Sequence, residues 1–170
     1  MLLASKQSPW LLKDDRLWQV VVLVTAHGPS GSTGLILNRP GSFAIAGPSM
    51  QRGYTGGLQS RERLVMLHGH PDVPHSAEVG STGVFLAELP RALEGALASD
   101  HPYGSFKFYV GQMEWAAGEL DQQVEAGAWL PAAASRAVVL KQCIGLPVPL
   151  WREILLLMGG EYAELVEEGP

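Results

Sequence analysis

The sequence predicts an α+β domain, and three features carry that prediction. Residues 18–25 (WQVVVLVT) form a β-branched apolar run without alternation, the pattern of a strand covered on both faces. The segment Phe106-Lys107-Phe108-Tyr109-Val110 alternates instead, so Phe106, Phe108 and Val110 are expected to share one face turned to the core. Helical segments lie among the strands without a regular βα repeat, which argues against a doubly wound sheet. At 170 residues the chain suits one domain, 1–170, able to bury roughly 70% of its unfolded surface.

After the first strand, a Gly/Ser/Pro turn over 28–33 leads into a second at Gly34-Leu35-Ile36-Leu37. Pro40 is expected to end it, because proline lacks an N–H and presses Arg39 toward extended geometry. Residues 41–57 mix Gly, Pro and Ser with scattered apolar side chains and read as a long surface connection. Further strands are expected near 63–67, near 84–86 and over 137–140. Pro90 suits the first turn of a helix over 91–99. A second helix, 119–126, places Leu120 and Val124 one turn apart and stops at Gly127. A third begins after Pro149, covers 150–158 and stops at Gly159-Gly160, with a short helical turn following over 162–166. The tetrapeptide Gly-Ser-Thr-Gly occurs at 31–34 and at 80–83, each time entering a strand, and both copies read as equivalent turns.

Composition excludes several functions. Twelve Lys and Arg against seventeen Asp and Glu give a formal charge of -5, which disfavours general binding to a phosphate backbone. The single Cys143 excludes an intramolecular disulfide and any Cys-rich zinc site. No apolar run reaches the ~20 residues that span a bilayer, so no integral membrane protein is expected. Residues 1–10 carry neither a signal-peptide nor a transit-peptide signature, so any import address is expected to be absent from this chain.

The sharpest chemical signal is His68-Gly69-His70-Pro71-Asp72, with His75 close behind. Imidazoles two apart at a strand end can face one metal, with Asp72 as a further ligand, as in the HxHxD signature of metallo-hydrolases with the β-lactamase fold. That fold needs more downstream ligands than His101 supplies, so the expected state is a solvated turn rich in histidine, without metal. Gly28-Pro29-Ser30-Gly31-Ser32-Thr33-Gly34 has the composition of a phosphate loop but lacks its Lys and opens a strand, and it does not fit GxSxG. Cys143 reads as a small hydrophobe with no cation nearby beyond Lys141. Arg39, at a buried strand end, needs a carboxylate or carbonyl partner, and an ion pair is expected. Trp115 and Trp129, on either side of the second helix, read as core anchors rather than a ligand cage.

The third helix carries an anomaly. Leu150, Trp151, Ile154, Leu155 and Met158 form one broad apolar face, while Leu156 falls on the opposite side between Arg152 and Glu153. Those three residues are the candidate partner interface.

Taken in order, VVVLVTAHGPSGSTGLILNRP (20–40), the Gly56-Gly57 pair and GQMEWAAGELDQQVEAGAWL (111–130) resemble the AlgH/YqgE family. The positions that carry the likeness are Gly34, Leu37, Asn38, Arg39, Pro40, Gly56, Gly57, Trp115, Gly118, Leu120 and Trp129. LWREILLLMGGEYAEL (150–165) looks like the green-plant and algal branch, which implies a chloroplast protein acting in the stroma or at the stromal face of a membrane complex. The resemblance implies a bent, bifurcated, mostly antiparallel sheet closing into a pseudo-barrel flanked by helices, and it supplies no catalytic constellation. Two departures stand out: Leu58 follows Gly56-Gly57 where the family has proline, and Thr25-Ala26-His27 stands where many bacterial members have Cys-Glu-His. A thiol-based role at that place does not carry over.

The sequence therefore favours a non-catalytic plastid protein without cofactor, binding a protein partner as an accessory or assembly subunit. Peripheral membrane association through that partner is compatible with this. The alternative is a small-molecule-binding protein or a metal-dependent enzyme using His68, His70 and Asp72. A transcriptional regulator, the label given to many bacterial members, ranks third because of the acidic balance.

Overall fold

The computed structural model describes residues 1–5 and 14–167, Glu167 by its backbone alone. Residues 6–10 of the opening segment read for a leader therefore lie outside the described residues. Within them the strands are β1 (Leu2–Ala4), β2 (Val21–Gly28), β3 (Gly31–Ile36), β4 (Pro40–Ile45), β5 (Gln51–Thr55), β6 (Gln59–His68), β7 (Ser76–Glu78), β8 (Phe85–Glu88), β9 (Lys107–Trp115) and β10 (Trp129–Pro131). The α-helices are α1 (Arg91–Ala98), α2 (Glu119–Glu125), α3 (Arg136–Val139), α4 (Leu150–Met158) and α5 (Glu161–Glu167). None of them is long and apolar enough to cross a membrane.

The strands build one curled, largely antiparallel half-barrel with the order β10-β1-β2-β3-β9-β6-β8-β7, and β4 and β5 branch off it. The fork lies on β9. One edge of β9 pairs with β6, and the other is divided between β5, parallel at Tyr109 and Val110, and β3, antiparallel at Met113 to Trp115. Gly111 sits between the two partners with φ +75°, and a Cβ there would press on the carbonyl oxygens of Gly57 and Gln59 at 2.9 and 3.0 Å. Only glycine meets both demands, the left-handed backbone and the close approach.

Both faces of the central strands are covered, as the unbroken apolar run in β2 requires. Val21 and Leu23 join Leu35, Leu37 and Tyr109 against α3, α4 and α5. Val20 and Val22 point the other way, toward Ile36, Trp115, Trp129 and Leu120 of α2. Val24, nearer the strand end, is half-buried. A third cluster packs Met66, Phe106 and Phe108 on Ala92 and Ala96 of α1.

Several expectations need correction. The alternation of 106–110 suggested one buried face, yet Lys107 and Tyr109 are also buried while Val110 is only half-buried. Residues 41–57 are not a surface connection. They contain the β4–β5 hairpin, and Pro40 starts β4 rather than merely ending β3, a place where its missing N–H is tolerated. The glycines that suggested a loop make room for a ring: a Cβ on Gly41 would lie 2.8 Å from Phe43, and one on Gly53 would collide with it outright. Residues 137–140 are not extended either. Ser135 caps α3 by accepting from the Val138 amide, and this local start overrides the β-propensity of Val138-Val139. The two Gly-Ser-Thr-Gly copies differ, since the first lies within β3 and the second forms the turn between β7 and β8.

Candidate functional site

The histidine cluster forms where β6 ends. His68 is fully buried, so the expected solvated turn is wrong for this residue. Its Nδ1 accepts from the His70 amide at 3.2 Å, which leaves the ring proton on Nε2 to be donated to Ser76 Oγ at 2.9 Å. Burial, and then the neighbouring His70, lowers its pKa to about 4. His70 Nε2 bonds Ser105 Oγ at 2.7 Å, and its ring stacks on His101 with centroids 3.7 Å apart. Burial and then His101 lower the His70 pKa as well. His101 in turn pairs with Asp72 at 2.9 Å. The Ser105 hydroxyl donates to Pro102 O at 2.6 Å, so His70 is the donor to Ser105 and does not act as its base. Among the described residues no three His, Cys, Asp or Glu side chains are placed to hold a metal ion.

Asn38 and Arg39 fasten the turn that precedes β2. Asn38 accepts from the Val21 amide and donates to Gln19 O, both at 2.9 Å, and Gln19 has the unusual φ of 51°. Arg39 donates to the carbonyls of Arg16 and Trp18, so carbonyls replace the expected ion pair, and burial lowers its pKa. Leu37 is fully buried. Gly34 is held small by Val22 Cγ1, 2.7 Å from where its Cβ would lie. Gly56 forms the wedge of the fork: its amide donates to Val110 O at 2.8 Å and its carbonyl accepts from the Ile36 amide at 2.7 Å. A Cβ on Gly57 would overlap the Gln112 backbone.

Trp115 and Trp129 meet edge to face at 6.0 Å, and both indole N–H groups donate to Gln123 Oε1, at 3.1 and 2.8 Å. Gly118, with φ +73°, starts α2, where Glu119 reaches back to the Ala116 amide at 2.8 Å. Leu120 is buried beneath the two tryptophans. These motif positions thus hold backbone crossings and packing together.

Helix α4 presents a different surface. Leu150, Trp151, Ile154 and Leu155 are buried, whereas Leu156 is 49% and Leu157 68% exposed. Leu157 is exposed although it lies a heptad on from buried Leu150, on the face that helical periodicity assigns to the core. Together with Val148, 39% exposed, Leu156 and Leu157 line a groove of about 370 Å³ against the segment that precedes α4. Glu153 is tied to Lys141 at 2.7 Å on the rim, and Arg152 is exposed.

A sequence model described as AlgH-like matches residues 2–163. The chain belongs to the AlgH-like family. A UPF0301 protein from Chlorobium phaeobacteroides is 29% identical, with 100% of this chain and 90% of the relative covered. One from Myxococcus xanthus is 30% identical, with 98% and 93% covered. The solution structure of the AlgH protein from Pseudomonas aeruginosa matches with a TM-score of 0.71 at 22% identity, covering 99% of this chain and 92% of that one. A crystal structure of a Corynebacterium diphtheriae protein matches with 0.74 at 17% identity, covering 97% and 88%. The curled AlgH-like sheet is thus common to all three structures.

Two further features belong to this AlgH-like chain. Thr25 bonds Thr33 at 2.9 Å and His27 bonds Ser32 at 2.8 Å, beside an open cleft of about 590 Å³ that also reaches Thr82 and Arg136. The Arg136 guanidinium donates to Gly69 O at 2.6 Å. Second, Lys107, the first residue of β9, is buried with no carboxylate partner among the described residues. Its Nζ donates to Lys141 O at 2.8 Å, lies 3.9 Å from Cys143 Sγ and sits 4.8 Å from the Tyr54 ring centre. Burial lowers its pKa to about 8, and burial raises that of Cys143. The sequence reading missed this cluster. The usable signal was Tyr109, two residues on from Lys107 and therefore on the same face, an aromatic that needs cover.

Proposed function

We propose that this AlgH-like protein is a non-catalytic accessory or assembly factor that docks a protein partner on the α4 groove. The observation that carries the reading is the exposed Val148, Leu156 and Leu157 patch on a helix whose other face is fully packed. Covering each leucine is worth about 1.5–3 kcal/mol, and no segment of the described fold does so. The partner contributes an apolar helix or loop, and Arg152 at the edge favours an acidic residue beside it. The histidines support a non-catalytic role, because both ring nitrogens of His68 and the Nε2 atoms of His70 and His101 are engaged in hydrogen bonds within the fold.

We propose a plastid location, at the stroma or the stromal face of a membrane complex, from the resemblance of residues 150–165 to the green-plant and algal branch. The charge of -5 supports the absence of a nucleic-acid partner. A second reading, binding of a small molecule, is favoured by the cleft beside His27 and Arg136.

The docking reading is tested with a photo-cross-linking residue at position 156, introduced in the native compartment. The expected product is one defined adduct, absent when the probe replaces exposed Glu94 on α1. Equal labelling from both positions would contradict it.

A further inference from the structure

We propose that Lys107 and Cys143 form a peroxide-sensitive pair that closes into a covalent sulfenamide between β9 and the segment leading to α4. Both groups hang on one acceptor: Lys107 Nζ lies 2.8 Å and Cys143 Sγ 3.2 Å from Lys141 O, and the two are 3.9 Å apart. The Cys143 amide is fixed by Tyr54 Oη at 3.1 Å, so the thiol is held beside the amine from the backbone as well. Lys107 is 2% exposed, and no carboxylate pairs with it among the described residues. A second, separate observation marks the same place. The Tyr109 hydroxyl is fully buried without a hydrogen-bond partner among the described residues, and its ring centre lies 5.6 Å from Lys107 Nζ. Cys143 is only half-buried, which gives a small oxidant a way to the sulfur.

The chemistry uses hydrogen peroxide as the sole oxidant. The thiolate sulfur attacks one peroxide oxygen, the O–O bond breaks, the sulfur becomes a sulfenic acid and the second oxygen leaves as hydroxide, which takes a proton from the Lys107 ammonium to become water and leaves that amine neutral. The neutral Lys107 amine then attacks that sulfur. The S–O bond breaks as the N–S bond forms, and the departing hydroxide takes the amine proton as a second water. The lowered Lys107 pKa, about 8, keeps part of the amine neutral at mildly alkaline pH. The lysine charge also eases ionisation of a thiol that burial otherwise holds protonated. Closing the link would tie one wall of the α4 groove to the sheet, a consequence that rests on the docking reading above. The link itself does not depend on it.

The test is mass spectrometry of the reduced full chain after hydrogen peroxide treatment at mildly alkaline pH, with free thiols alkylated on quenching. Because Cys143 is the only cysteine, an intramolecular disulfide cannot mimic the product. Expected are a monomer lighter by two hydrogens (about 2 Da), a peptide joining Lys107 to Cys143, lost tryptic cleavage after Lys107, and full reversal by dithiothreitol. Lys107→Arg should abolish the product and leave Cys143 to gain oxygens; if that variant does not fold, the joined peptide from the wild-type chain decides. Oxygen addition without a link, a link to Lys141, a bridge that retains one oxygen, or an inert thiol would each overturn the proposal. None of these readouts involves a docking partner, so failure here leaves the groove untouched.

Discussion

At the scale of single residues, two buried basic groups set how stability depends on pH. His68 titrates near 4 when folded against 6.5 when free, so between those values the unfolded chain binds more protons. Stability is therefore expected to fall as pH drops from 6.5 toward 4, by about 3 kcal/mol in total for this residue. Denaturant titrations across that range check it, and His68→Gln, which keeps a donor for Ser76, should flatten the dependence. Lys107 acts in the alkaline range. Its pKa near 8 against 10.5 means that stability rises as pH climbs through that window and carries the full penalty below it. Lys107→Met should raise stability at neutral pH by about 1–3 kcal/mol and erase the alkaline rise. A loss of stability at neutral pH would show that the bond to Lys141 O outweighs desolvation.

Among elements, the fork on β9 is the most demanding. Gly57 and Gly111 let β5, β6 and β9 cross at backbone contact, and no side chain can be accommodated at Gly57 without moving β9. Gly57→Ala is expected to cost more than about 3 kcal/mol or to prevent folding, whereas Gly127→Ala, which meets no neighbour, should cost about 1 kcal/mol for its left-handed backbone. Thermal melts of the pair would show the contrast.

The elements also show what was legible in the chain. Helix α4 was read to the residue because Pro149 and Gly159-Gly160 punctuate it. The β4–β5 hairpin was not, because Gly41 and Gly53 read as loop residues whereas they make room for the Phe43 ring. Leu156 was identified from helical periodicity alone, since a wheel is a local property. The Lys107–Cys143 pair joins residues 36 apart in sequence, and their meeting depends on how α3 returns the chain to the sheet.

The whole molecule combines a half-barrel whose motif residues bind the fold together with helix α4, which leaves two adjacent leucines uncovered. Membership of the AlgH-like family and two solved structures of the same fold agree with that half-barrel. Helix α4 is where this chain is expected to act. A packed surface and a docking surface respond differently to charge. Core leucines replaced by glutamate unfold a domain, while docking leucines so replaced leave it folded and alone. The most direct measurement is therefore a comparison of wild type with Leu156→Glu/Leu157→Glu, pairing the thermal midpoint of the isolated chain with the size of the complex it forms in native extract. A midpoint within about 2 °C of wild type, together with collapse of the large species to the free chain, is the expected result. An unchanged complex, or a double variant that unfolds, would contradict docking through α4.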